Sequence, residues 1–158
     1  MSVKKITFTI KGEPFGKMNM QPLIIGGHAR AFNPKKNVEY MERIISILDH
    51  TLKKEEEPIF KKEESVTILI VAKFPLTKDC YKKSGQLTKK GYKMINNEIK
   101  PTKKPDLDNI SKVICDAITK QGKVWVDDSQ VTTETLIKKY SLYPCVEVTI
   151  VGKDYETK

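Results

Sequence analysis

A single α/β (α+β) domain over residues 1–158, a mixed β-sheet with two main helices packed on it, is predicted by three observations. Residues 4–11 alternate apolar and polar side chains, and residues 65–74 are dominated by apolar side chains, unbroken from Ile68 to Ala72. Two further stretches, one after Asn33-Pro34 and one after Pro105, carry apolar residues at helical spacing. The resulting order of strand, helix, strand, helix, strand, strand belongs to a layered domain rather than a bundle or a sandwich. The 158 residues, 39% hydrophobic and 31% charged, suffice for one soluble unit with a real core.

In chain order, Ile6, Phe8 and Ile10 alternate with Lys5, Thr7 and Thr9, a half-buried strand that Gly12, Pro14 and Gly16 terminate. Residues 13–32 show little periodicity and read as a long loop with a short strand near residues 30–32. Asn33 reads as an N-cap with Pro34 at the first helical position. From there Met41, Ile44, Ile45, Leu48 and Leu52 fall on one stripe, predicting a helix over 34–53. A charged connector broken by Pro58 follows. The run Val66, Ile68, Leu69, Ile70, Val71, Ala72 leaves almost no polar face and predicts a central strand buried on both sides. Residues 86–99 have some helical character, interrupted by Gly91 and Asn96-Asn97. Ile110, Val113, Ile114, Ala117 and Ile118 then fit a helical stripe, with Gly122 at the C-terminal cap. Residues 131–140 and 145–151 complete the chain as two strands joined around Pro144.

Charge and cysteine usage narrow the function. No apolar run approaches the roughly 20 residues that cross a bilayer, so no membrane partner is expected. The start of the chain lacks an apolar signal core, and Cys80, Cys115 and Cys145 are scattered and odd in number, which predicts a cytoplasmic protein with free thiols. With only His28 and His50, no zinc spacing can be built. The net charge of +9 is concentrated: ten lysines between Lys73 and Lys104 face only Asp79 and Glu98, a block of +8. Such a block suits a phosphate backbone, although a solvated lysine-rich loop would look the same. Lys17, Arg30, Lys82, Lys83, Lys89, Lys90, Lys103 and Lys104 are the candidate DNA contacts.

Directly after this block come five aspartates and no glutamate: Asp106, Asp108, Asp116, Asp127 and Asp128. Asp108, Lys112 and Asp116 lie at i, i+4 and i+8 of the helix, a polar stripe beside the apolar one. One aspartate at a helix start is ordinary capping, whereas Asp106 and Asp108 together exceed what capping requires. In extended backbone Asp127 and Asp128 point to opposite faces, so one of them joins a shared site, and the spacing does not say which. Gathered carboxylates repel one another unless a cation lies between them, and Mg²⁺ takes one or two such groups, waters and substrate phosphate. Lys112 could steady developing negative charge, or form only an i,i+4 ion pair with Asp108.

The same residues resemble the signature of the RusA Holliday-junction resolvases: Lys104-Pro-Asp-Leu-Asp-Asn-Ile, Lys112, Asp116-Ala-Ile and Trp125-Val-Asp-Asp-Ser-Gln-Val131. The resemblance is dense over about 30 residues and looser around Lys17 and residues 32–35. It departs from the pattern at Met18-Asn-Met-Gln-Pro22, where further basic residues are usual, and in a long segment over 86–102. It implies a RusA-like fold and a homodimeric endonuclease that uses Mg²⁺, with Mn²⁺ a second suitable ion, to cut branched four-way DNA. It also implies catalytic roles for Asp106, Asp108, Lys112 and Asp128, the three aspartates being metal ligands, and supporting roles for Asp116 and Asp127. Two other readings compete: a non-catalytic nucleic-acid-binding module, and a phosphohydrolase of small nucleotides, which lacks a glycine-rich phosphate loop here.

Overall fold

The computed structural model describes residues 2–154, so the extreme ends of the expected 1–158 unit lie outside the described residues. Its main sheet has four strands in the order β1 (Ser2–Lys11), β6 (Cys145–Asp154), β4 (Val66–Phe74), β5 (Val131–Tyr140). β6 is antiparallel to both neighbours, and β4 and β5 are parallel. A parallel pair needs a crossover, and it is supplied by a short helix α2 (Lys89–Ile95) and the longer α3 (Leu107–Gln121). The mixed sheet and the two main helices, α1 (Lys35–Thr51) and α3, are the α+β architecture that the sequence predicts. The two strands flanking Pro144 are consecutive but not paired, because β6 inserts between β1 and β4.

The core forms where alternate strand residues meet the helix stripes. Ile6, Phe8 and Ile10, Ile68, Ile70 and Ala72, and Val146, Val148 and Ile150 pack in one cluster with Tyr40, Ile44 and Leu48 of α1 and Ile110, Val113, Ile114, Ala117 and Ile118 of α3. Burying a side chain of this size stabilises the fold by about 1.5–3 kcal/mol. Both helices lie on one face, which corrects the expectation that β4 is buried on both sides. Its Thr67 is exposed and Leu69, Val71 and Lys73 are half-buried, on the face no helix covers. There Lys73 pairs with Glu147.

Residues 13–32 are more ordered than a loop. β2 (Gln21–Ile25) and β3 (His28–Phe32) form an antiparallel hairpin around Gly26-Gly27, both with positive φ (57° and 80°), the conformation a two-residue hairpin turn requires. The start of α1 also differs in detail. Pro34 is the N-cap residue, and Asn33 accepts a hydrogen bond from the Asn37 side chain, 2.8 Å, instead of capping the helix. Asn37, fully buried, also binds Met18 through both its backbone N–H and its carbonyl, which fixes the chain between β1 and the hairpin.

Candidate active site

α3 begins where the sequence places it, and its end is closed by Gly122 in the left-handed region, φ 84°. Asp106 is its N-cap residue, yet the Asp106 carboxylate makes no capping hydrogen bond. The segment after β1 is strapped across this helix start: Lys17 N–H donates to the Asn109 carbonyl, 2.9 Å. Gly16 allows the approach, since a Cβ there would sit 2.5 Å from Pro105 Cβ and 3.3 Å from Asn109 Cβ. Gly16→Ala should therefore lift the strap and cost about 1–3 kcal/mol, read as a lower melting temperature. An unchanged melting temperature would mean the strap is not held as described.

Between α3 and the start of β5 lies an open cavity of about 520 Å³, lined among others by Asp108, Lys112, Cys115, Asp116, Asp128 and Glu134. Lys112 Nζ is 3.6 Å from Asp108, an exposed i,i+4 contact worth a few tenths of a kcal/mol. Lys17 Nζ is 2.6 Å from Asp116, so this lysine faces a carboxylate of the site. The buried Ser111 hydroxyl donates to Glu134, 2.5 Å. Burial pushes the Cys115 thiol up to about 12, with the charges of Glu134, Asp128 and Asp116 adding to the effect and the Ser111 hydrogen bond opposing it. Cys115 is a neutral thiol in the cavity wall. Trp125, fully buried, donates its indole N–H to Thr119 and is a packing residue.

Asp127 and Asp128 separate in role at a 3₁₀ turn, Asp128–Gln130. Asp127 is its N-cap, accepting from Ser129 N–H and Oγ, and those hydrogen bonds hold its carboxyl below the usual range. Asp128 is left to face the cavity. Gln130, 6% exposed, fixes the turn: its carbonyl accepts from Val126 N–H (2.8 Å) and Asp127 N–H (3.1 Å), and its amide donates to the Lys61 (2.7 Å) and Glu64 (3.1 Å) carbonyls. The remaining carboxylate, Asp106, lines a neighbouring groove with Lys17, Lys104 and Asn109. Among the described residues no three His, Cys, Asp or Glu side chains close on one point as a metal cage.

The family model described as endodeoxyribonuclease RusA matches residues 11–151. The chain belongs to the RusA family. A curated relative, "Uncharacterized protein YqaN" of Bacillus subtilis (strain 168), is 29% identical over 145 residues, 92% of this chain and 94% of that protein. The match places the chain among endodeoxyribonucleases and runs through the cavity, the strap and the basic block alike.

In this RusA-family chain the donor chemistry fits a hard divalent cation. The cavity offers carboxylate oxygens and no imidazole, and its one thiol is held neutral. An open arrangement with room for water is what Mg²⁺, which dehydrates reluctantly, prefers. The basic residues are dispersed. Arg30 is on exposed β3; Lys82 and Lys83 sit on a tight turn closed by Gly85 N–H to the Lys82 carbonyl, 2.8 Å. Lys89 is exposed at the start of α2, while Lys90 pairs with Asp79, 2.5 Å, which raises the Lys90 pKa and lowers that of Asp79. Lys103 and Lys104 are exposed beside Asp106. α2 is shorter than the periodicity over 86–99 suggests, capped by Thr88 and ending at Asn96-Asn97, with Asn97 at φ 63°. Gly91 lies inside it because a Cβ would meet the Cys80 carbonyl at 2.8 Å. Ser111, Thr132, Thr133 and Glu134 are polar cavity residues that sequence reasoning missed. No helix among the described residues is long and apolar enough to cross a membrane.

Proposed function

We propose that this chain resolves four-way DNA junctions by paired, divalent-cation-dependent hydrolysis of phosphodiesters, acting as a homodimer. The observation that carries the reading is the meeting of Asp108, from a helix start, and Asp128, from the 3₁₀ turn that leads into β5, on one open cavity. Asp106, Asp108 and Asp128 are the residues that would hold Mg²⁺ or Mn²⁺, Asp106 from the adjoining groove. Such an ion supplies an activated water and neutralises charge on the leaving oxygen. Lys112, loosely held by Asp108, can swing its ammonium toward a phosphate, and a cation there stabilises charge that grows in the transition state. Lys17 offsets Asp116, and Asp127 holds the turn that presents Asp128. Lys103 and Lys104 lead from the basic block to the site, so a backbone strand bound by the block would pass the carboxylates. Two equivalent cuts suit a two-fold dimer, one protomer for each.

The test is cleavage of a labelled synthetic four-way junction beside linear duplex of the same sequence, with Mg²⁺ and after chelation. Symmetric nicks in the junction alone, abolished by chelation, are expected. Salt-sensitive binding with no nicking under Mg²⁺ or Mn²⁺ would instead establish the non-catalytic binding module.

A further inference from the structure

We propose that Glu134 is a further carboxylate of this site, turned into the cavity by a β-bulge and held by Ser111 so that its second oxygen can ligate the divalent cation. The inference rests on the nuclease reading above and adds a residue to it.

The register of β4 with β5 shifts by one residue near the start of β5. Val131 pairs with Val66, but the next pair is Thr67 with Thr133, so Thr132 is an extra residue and Glu134 falls opposite Ile68. Residues paired across adjacent strands share a face, and Ile68, fully buried, faces the helices. Without the bulge Thr133 would oppose Ile68, and Glu134 would oppose Leu69 on the face no helix covers. A one-residue shift exchanges the two faces of a strand, and bulges recur where a strand re-aims a side chain beside an active site. β5 is an edge strand, so its helix-facing side chain at this point opens into the cavity instead of being sealed in the core.

Ser111 completes the placement. Its hydroxyl, on a residue only 6% exposed, donates to Glu134 Oε1. A serine in a helix can satisfy its hydroxyl on the carbonyl one turn back, so Ser111 does not need a glutamate. The bond does fix one carboxylate oxygen and leave the other free. Glu134, Asp128 and Asp116 line the same cavity. Asp108 from α3, Asp128 from the 3₁₀ turn and Glu134 from β5 line one open cavity without closing on a single point among the described residues, so a cation held there would be reached in part through bound waters, which Mg²⁺ keeps.

Mn²⁺ binding to the full chain without DNA, followed by titration calorimetry and by the Mn²⁺-induced rise in melting temperature, tests this. Glu134→Gln keeps the size and an acceptor for Ser111, so the metal-free melting temperature should stay within a degree or so. Its Mn²⁺ affinity should fall about tenfold or more, and that of Ser111→Ala by less, as loss of ligands and of the groups that orient them does. If Glu134→Gln binds Mn²⁺ like the unmodified chain while Asp108→Asn does not, Glu134 is no part of the site and the nuclease reading survives. If the unmodified chain itself binds no Mn²⁺, both fail together.

Discussion

Asp128→Asn is expected to abolish junction cleavage while leaving junction binding intact. The Asp128 side chain makes no hydrogen bond or ion pair among the described residues and is exposed on the turn that opens β5. Its replacement by an isosteric amide should therefore change stability little, within about 0.5 kcal/mol as for ordinary surface positions. Charge is the only thing lost. If that charge helps to hold the cation, transition-state stabilisation of several kcal/mol goes with it, and about 4 kcal/mol corresponds to roughly a thousandfold in rate. Affinity for the junction comes from cationic contacts to phosphates, so it should hold or tighten slightly once a negative charge is removed. Single-turnover cleavage and a binding titration at the same salt separate the two effects. Cutting within tenfold of the unmodified chain would remove Asp128 from the site.

The parts of the molecule that obey a period were open to sequence reasoning. Ile110, Val113, Ile114, Ala117 and Ile118 share a helix face whatever the rest of the chain does, so α3 and the placement of Asp108, Lys112 and Asp116 followed directly. Features set by parity or by a partner strand did not. The choice between Asp127 and Asp128 turns on the 3₁₀ capping box, and Asp127 followed three residues later by Gln130 was a usable sign of it. Gly26-Gly27 between two short extended stretches was likewise a hairpin signal. Glu134 carried no such sign: its direction depends on Thr132 finding no partner on β4, a property of two strands together. The apolar run of β4 misled because hydrophobicity alone does not tell which sheet face receives the helices.

Gln130→Ala should cost both stability and cleavage, and the link between the two losses follows from its position. One side chain satisfies two backbone N–H groups, of Val126 and Asp127, and two carbonyls, of Lys61 and Glu64. It thereby ties the connector before β4 to the turn that carries Asp128. Truncation strands these groups, at about 1–3 kcal/mol for each one that stays dry. Val126, Asp127 and Lys61 lie at exposed residues where water can replace part of the loss, so a net cost of about 2–3 kcal/mol is expected. For a chain of this size that is a fall in melting temperature of roughly 5–10 °C. The folded fraction should remain large at 25 °C, since domains hold about 5–15 kcal/mol in all, yet Asp128 would no longer be set on the cavity. Cleavage should then drop well beyond the loss of folded protein, while junction binding, carried by the lysines, stays near normal. A melting temperature lowered by less than a degree would show that Gln130 does not hold the turn. A large fall with cleavage unchanged would show that Asp128 needs no such support.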